Sequence, residues 1–272
     1  MNRTTTHSKI SKRTNPVKTI KQRLADKEII MACGMGRIPH HNFMQILGTQ
    51  GGFQAVWFDQ EHTGVTQEQI EIGALAARSY GMDSFVRVAP TDYAVVTRAI
   101  EGGTSGVMIA QVQNAEHAEQ FVKYTKYAPR GYRGLNSSGY DGKYGTVPLA
   151  KFCEQSNKDT FLAIQIETLS SLNDADAIAA IDGVDVLFVG PADLGQSMGL
   201  TGDFFNPKCI EALDKVAAAC KKHGKNWGVV TVNPDYADMV VEKGCRILSP
   251  TSDNRLLNMG IKATKGEYSK YF

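Results

Sequence analysis

Eight short apolar runs recur along the 272-residue chain, each followed by a longer segment with helical signals. The runs are Ile29–Gly34, Ala55–His62, Ser84–Ala89, Gly106–Gln113, Thr160–Thr168, Val184–Asp193, Trp227–Val232 and Cys245–Thr251. They are rich in Val, Ile and Phe, the composition of strands buried on both faces. Between them, Thr66 with Gln69 forms a capping-box pattern and Asn114 sits at a cap position. Asn206-Pro207 and Asn233-Pro234 open two further helices, closed by Gly224 and Gly244, and Asp253 is expected to cap the last one. Eight β-then-α units predict an α/β fold, a closed parallel (β/α)8 barrel of the TIM type. The alternative is a doubly wound open sheet. Its GxGxxG fingerprint is missing, because Gly34-Met35-Gly36 runs on into Arg37, Ile38 and Pro39.

The net charge of +2 hides an uneven distribution. Residues 1–25 carry seven basic side chains and no acid, which leaves 23 basic against 28 acidic residues in the rest. The body is mildly acidic and offers no basic stripe for nucleic acid. Residues 1–15 read as a flexible basic tail, with an organelle transit segment as the alternative, and residues 16–272 as a single barrel domain. No apolar run approaches the length of a membrane span, so neither membrane nor nucleic-acid partners are expected and a cytoplasmic location is. Five scattered cysteines, without CxxC or Cys/His ligand spacing, fit buried thiols in a reducing compartment.

Barrels of this kind place chemistry at the C-terminal ends of their strands. Polar residues close four of the runs: Asp59-Gln60-Glu61-His62, Arg87, Gln165 with Glu167, and Gly190-Pro191-Ala192-Asp193. Gln165 and Glu167 are two apart and share a strand face, so both are expected to point into the barrel mouth. A buried carboxylate needs a partner. Glu167 and Asp193 together suit a hard divalent cation such as Mg²⁺ or Mn²⁺; an ordinary ion pair between Glu167 and Arg87 is the competing reading. Amides at Ala192 and Asp193 are placed to receive a substrate carboxylate. His62 is the candidate base. His40 and His41 follow the first strand closely enough to line the pocket. No run contains a lysine, so a Schiff-base aldolase is excluded and carbanion chemistry would rely on a metal-stabilised enolate.

At these residues the chain resembles the HpcH/HpaI group of metal-dependent pyruvate aldolases. The matching stretches are Trp57–His62, Val86–Val88, Tyr127–Gly134, Ile164–Thr168 and Val189–Leu194, within a similarity spanning about residues 17–265. The resemblance implies a pyruvate-type barrel with an N-terminal helix and a C-terminal helix exchanged between subunits of a homohexamer. It implies reversible aldol cleavage of a 4-hydroxy-2-oxo acid to pyruvate, or a related 2-oxo acid, and an aldehyde. Carried over, Glu167 and Asp193 hold Mg²⁺, Mn²⁺ or Co²⁺. Gln165, Gly190 and the Ala192–Asp193 backbone fix the 2-oxo acid, Arg87 stabilises developing negative charge, and His62 is the base. The acid that orients His62 corresponds to Glu101, with Asp59 as the alternative. After the first strand, Arg37-Ile38-Pro39-His40 replaces the family's small Ser-rich stretch, and Tyr140–Thr146 is a second candidate for shaping the acceptor pocket. Two other readings stand beside this one: an oxaloacetate decarboxylase or coenzyme A ester lyase on the same barrel, and a non-catalytic metabolite-binding protein.

Overall fold

The computed structural model describes residues 17–272; the basic tail lies outside the described residues. Eight parallel strands close into a barrel in sequence order. They are β1 (Ile30–Met35), β2 (Ala55–Asp59), β3 (Asp83–Val88), β4 (Gly106–Ile109), β5 (Phe161–Ile166), β6 (Val186–Val189), β7 (Asn226–Val230) and β8 (Ile247–Ser252). The helices are α1 (Ile20–Ala25), α2 (His41–Gln50), α3 (Gln67–Ser79), α4 (Tyr93–Glu101), α5 (Ala115–Thr125), α6 (Leu149–Asp159), α7 (Leu169–Asn173), α8 (Ala175–Ala180), α9 (Pro191–Ser197), α10 (Pro207–Lys222), α11 (Pro234–Glu242) and α12 (Asp253–Glu267). The Thr66–Gln69 capping box forms as the sequence predicts, and Asn114, Asn206 and Asn233 cap their helices.

Strand alternation separates two apolar layers. Ile164, Ile166, Val86 and Val107 face outward into the helix layer. Ile30, Ala32, Trp57, Phe85, Met108, Phe161 and Phe188 fill the barrel interior. Ile20 and Leu24 of α1 join the interior cluster and close its N-terminal end. Asp83 fixes that plug, accepting from the Ile20 amide at 2.7 Å and the Ser105 hydroxyl at 2.8 Å.

The same end carries the 127–146 connection. Arg133 is fully buried, bonds Asp141 at 2.7 Å and lies over the Tyr127 ring. Arg130 grips Glu119 with two bonds of 2.7 and 2.8 Å. Tyr140, Asp141 and Lys143 line a cavity with Asp83 and Thr104 at this N-terminal end. The expectation that Tyr140–Thr146 shapes the acceptor pocket is therefore corrected. An α-to-β connection in a parallel barrel emerges at the strand starts, opposite the mouth.

Candidate active site

At the C-terminal mouth lies a cavity of about 420 Å³. Asp59, His62, Arg87, Gln165, Gly190, Ala192 and Asp193 all line it, so the structure gathers residues from β2, β3, β5 and the β6–α9 junction in one place. The inward alternation that puts Trp57 in the barrel also turns Asp59 inward, and Asp59 registers with Arg87 on the neighbouring strand. Arg87 Nε donates to Asp59 Oδ1 at 3.0 Å and Nη2 to Oδ2 at 2.8 Å. Its Nη1 lies 3.0 Å from Glu61 Oε2, and its guanidinium stacks 5.0 Å from the Trp57 ring. Trp57 is itself held by Ser249, to which its Nε1 donates at 2.9 Å. Burial alone would raise the Asp59 pKa, but the hydrogen bonds and charge of Arg87 hold it below the usual carboxylate range.

Glu167 follows the end of β5 and is 1% exposed. Its Oε1 accepts from the Gln111 amide at 2.6 Å, and Gln165 donates to its Oε2. No arginine or lysine among the described residues pairs with it, and Arg87 is engaged elsewhere. The competing reading, a Glu167–Arg87 ion pair, is therefore not what the chain builds. Burial pushes the Glu167 pKa up to about 7, against the Gln111 amide and with added repulsion from Glu61 and Asp193. Gly190 permits this crowding: a Cβ there would stand 2.7 Å from Glu167 Oε2 and 2.8 Å from Gln165 Nε2. Asp193 occupies the first turn of α9 and lines the cavity, and no described residue donates a hydrogen bond to its carboxylate.

The donors fit a hard cation. Asp193 lines the cavity, its charge reaches the buried Glu167 carboxylate, and Gln165 Oε1 is buried without a partner. Among the described residues no set of three or more His, Cys, Asp and Glu side chains gathers as a metal cluster. Two protein carboxylates leave most of an octahedral shell to water and substrate oxygens, the arrangement Mg²⁺ ordinarily keeps.

His62 lies on the β2–α3 loop, because β2 ends at Asp59 rather than at His62 as the apolar run suggests. Its ring is about half exposed, with Nε2 3.6 Å from Glu61 Oε2. Neither expected orienting acid reaches that ring. The Asp59 carboxylate is taken by Arg87 and meets only the His62 main-chain amide, at 3.3 Å. Glu101 ends α4 at the opposite face of the barrel, where it accepts from Asn136 at 2.9 Å and its carbonyl accepts from the Tyr140 amide. Helices of a parallel barrel run back toward the strand starts, so the last residue of α4 belongs to the far end of its own chain.

Glu61, named at the end of the second run but given no role from the sequence, proves central: it is largely buried, burial raises its pKa, and it bridges Arg87 and His62; its position beside His62 at a strand end was the available signal. His40 caps α2 instead of lining the cavity, accepting from the Asn42 amide. Ser252, not Asp253, caps α12. Asp253 Oδ2 instead accepts from the amides of Gly36, Arg37 and Ile38 at 2.9, 2.8 and 2.6 Å.

Residues 40–258 match the model of the family described as HpcH/HpaI aldolase/citrate lyase. The chain is 32% identical over 77% of its length, and 80% of the relative's, to a 5-keto-4-deoxy-D-glucarate aldolase of Klebsiella pneumoniae. It is 30% identical over 93% of its length, and 98% of the relative's, to a pyruvate aldolase of Rhizobium etli. The crystal structure of an HpcH/HpaI aldolase from Desulfitobacterium hafniense superposes with a TM-score of 0.84 at 29% identity, covering 91% of this chain and 97% of that one.

Proposed function

The chain belongs to the HpcH/HpaI aldolase/citrate lyase family and is a carbon–carbon lyase of the aldolase type, and from that premise we propose how its mouth cavity works. The substrate is a 4-hydroxy-2-oxo acid, cleaved reversibly to pyruvate or a related 2-oxo acid and an aldehyde. A divalent cation, Mg²⁺, Mn²⁺ or Co²⁺, is held by Glu167 and Asp193. When bound, it supplies Lewis-acid polarisation of the 2-oxo acid and so makes its α-carbon acidic.

The observation that carries this reading is Glu167, a buried carboxylate crowded by Glu61 and Asp193 and left without a basic partner. Such a group is costly unless a cation completes it. Gln165 and the Ala192–Asp193 amides hold the carboxylate of the 2-oxo acid. Arg87 has N–H groups beyond those given to Asp59 and Glu61, and its fixed positive charge faces the oxygen on which charge develops. His62 accepts the proton of the C4 hydroxyl. The C3–C4 bond then breaks, the C4–O bond becomes the aldehyde carbonyl, and the bonding pair passes to the pyruvate fragment, which takes a proton at C3. Glu61, 3.6 Å from His62 Nε2, is the acid in reach of that imidazole.

The chain works as a homo-oligomer, with a hexamer as the expected state; Leu257, Met259 and Ile261 of α12, each about half exposed, support an intersubunit face. Its place is the cytoplasm, a reading that its five free cysteines support. Among the described residues no helix is long and apolar enough to cross a membrane.

The test is condensation: protein with Mg²⁺, Mn²⁺ or Co²⁺, pyruvate and a panel of aldehydes, with products identified by NMR. A 4-hydroxy-2-oxo acid is the expected product. Carbon dioxide from oxaloacetate with no condensation on any aldehyde would replace this reading by a decarboxylase.

A further inference from the structure

Lys126 mirrors Glu167 with the opposite charge: it is a buried ion that meets no counter-ion among the described residues. It follows α5 and is 3% exposed. Its Nζ donates to the Asn157 and Thr160 carbonyls, each at 2.9 Å. An ammonium has three N–H groups, so one is left over. Burial lowers its pKa to about 8, with Lys21 and Arg130 pushing the same way against Asp185 and Asp182.

Lys126 lines a cavity of about 270 Å³. Asp185 and Lys225, just ahead of β6 and β7, also line it, which places it at the strand-start end, opposite the mouth. Lys225 repeats the arrangement of Lys126: its Nζ donates to Ile181 O at 3.1 Å and Val184 O at 2.7 Å, and among the described residues no carboxylate pairs with it. Three further cations line the space, and each has an acid. Lys21 of α1 lies 3.0 Å from Asp185 Oδ1. Arg130 is gripped by Glu119 and lies 3.3 Å from Asp182 Oδ2, and Lys158 pairs with Glu154. Asp185 is further occupied by the Leu162 amide, at 2.9 Å from its Oδ2. The positive charge left over therefore falls on Lys126 and Lys225. Main-chain carbonyls solvate an ammonium without neutralising it, and a buried charge left so is costly. Two such ammoniums on separate elements, each with one N–H to give, suit a ligand with separated carboxylates, and a cavity of this size holds a short-chain acid.

We propose that this cavity is a second ligand site, which takes a short organic acid with two or more carboxylates between Lys126 and Lys225. The site is independent of the chemistry at the mouth. A bound acid favours the charged form of Lys126. Binding therefore takes up protons near pH 8, where the free ammonium is partly neutral, and none near pH 6, where it is already charged. The charged groups facing it are Lys21 from α1, Arg130 from the loop after α5, Lys158 from α6, Asp182 and Asp185 ahead of β6, and Lys225 ahead of β7. These residue types ordinarily titrate outside that interval.

Calorimetry on the metal-free full chain tests this, with succinate, tricarballylate and inorganic phosphate as probes. Succinate or tricarballylate should bind, and buffers of different ionisation enthalpy should show proton uptake at pH 8 and none at pH 6. Lys126→Gln and Lys225→Gln should each weaken binding at least tenfold. Lys126→Arg should bind without uptake, because its charge does not titrate. If Lys126→Gln fails to fold, Lys225→Gln and Lys126→Arg decide the matter. Binding of neither acid, equal affinity in Lys225→Gln, or uptake that persists in Lys126→Arg would overturn the proposal. Phosphate bound as tightly as either acid would overturn the assignment of a ligand with separated carboxylates.

Discussion

Asp59 and Arg87 meet fork to fork across two neighbouring strands, with contacts of 3.0 and 2.8 Å at the position where β2 and β3 register them directly. The pair fixes the one arginine of the floor, and Glu61 steadies its third side. Removing one partner of a buried pair costs roughly 3–5 kcal/mol, and the remaining Glu61 contact brings Asp59→Asn to about 2 kcal/mol. The Asp59 pKa lies below its ordinary 3.8 in the folded state. Its stabilisation is thus complete above that value and is lost as pH falls through the lower folded value. The stability difference between wild type and Asp59→Asn, from denaturant titrations, should be level between about pH 5 and 7 and shrink in acid. A difference that grows in acid would contradict the pairing.

Gly190 tests the crowding around the floor acids. Ala at this position drives a methyl to 2.7 Å from Glu167 Oε2. The strand end is otherwise regular, so the fold should survive while Glu167 and Gln165 are displaced. Gly190→Ala should keep the circular dichroism of wild type and lose at least about tenfold in Mn²⁺ affinity, the 1.4 kcal/mol expected of a displaced ligand. Unchanged Mn²⁺ affinity would contradict a ligand role for Glu167.

His62 should matter for chemistry and little for stability, since its ring is about half exposed. A positioned base contributes about 10²–10⁴-fold, so His62→Ala should lose that much in kcat for cleavage with unfolding unchanged. Activity near wild type would shift the base to another group.

Asp83 anchors the plug at the other end of the barrel. Asp83→Ala strips the Ile20 amide of its side-chain acceptor and leaves the Ser105 hydroxyl only the Ser84 carbonyl, at 3.0 Å. An orphaned buried donor costs about 1–3 kcal/mol. The loss should appear in denaturation, together with faster hydrogen exchange at α1 amides; wild-type exchange there would show that α1 is held by packing alone.

The barrel was legible because its signals are local. Runs of branched residues, the Thr66–Gln69 capping box and the Asn-Pro helix starts depend on neighbours within a few positions. Strand alternation likewise placed Gln165 and Arg87 at the mouth. Partnerships were not legible, because they cross the sequence. Asp253 looks like a helix cap and instead clamps amides 215–217 positions away. Asp59 looks free to serve His62 but is claimed by an arginine on the next strand. Glu101 sits at a plausible distance along the chain, yet the return of α4 carries it to the far end of its own barrel.

On the proposed mechanism, the Glu167 and Asp193 carboxylates hold a dication that makes a 2-oxo acid give up an α-proton. Solvent exchange of the pyruvate methyl protons, followed by NMR in D₂O, tests it without any aldehyde. Exchange should occur with Mg²⁺ or Mn²⁺, stop on chelation and be absent from Glu167→Gln, while the circular dichroism of that variant matches wild type. Exchange at the wild-type rate in chelator-treated Glu167→Gln would contradict it.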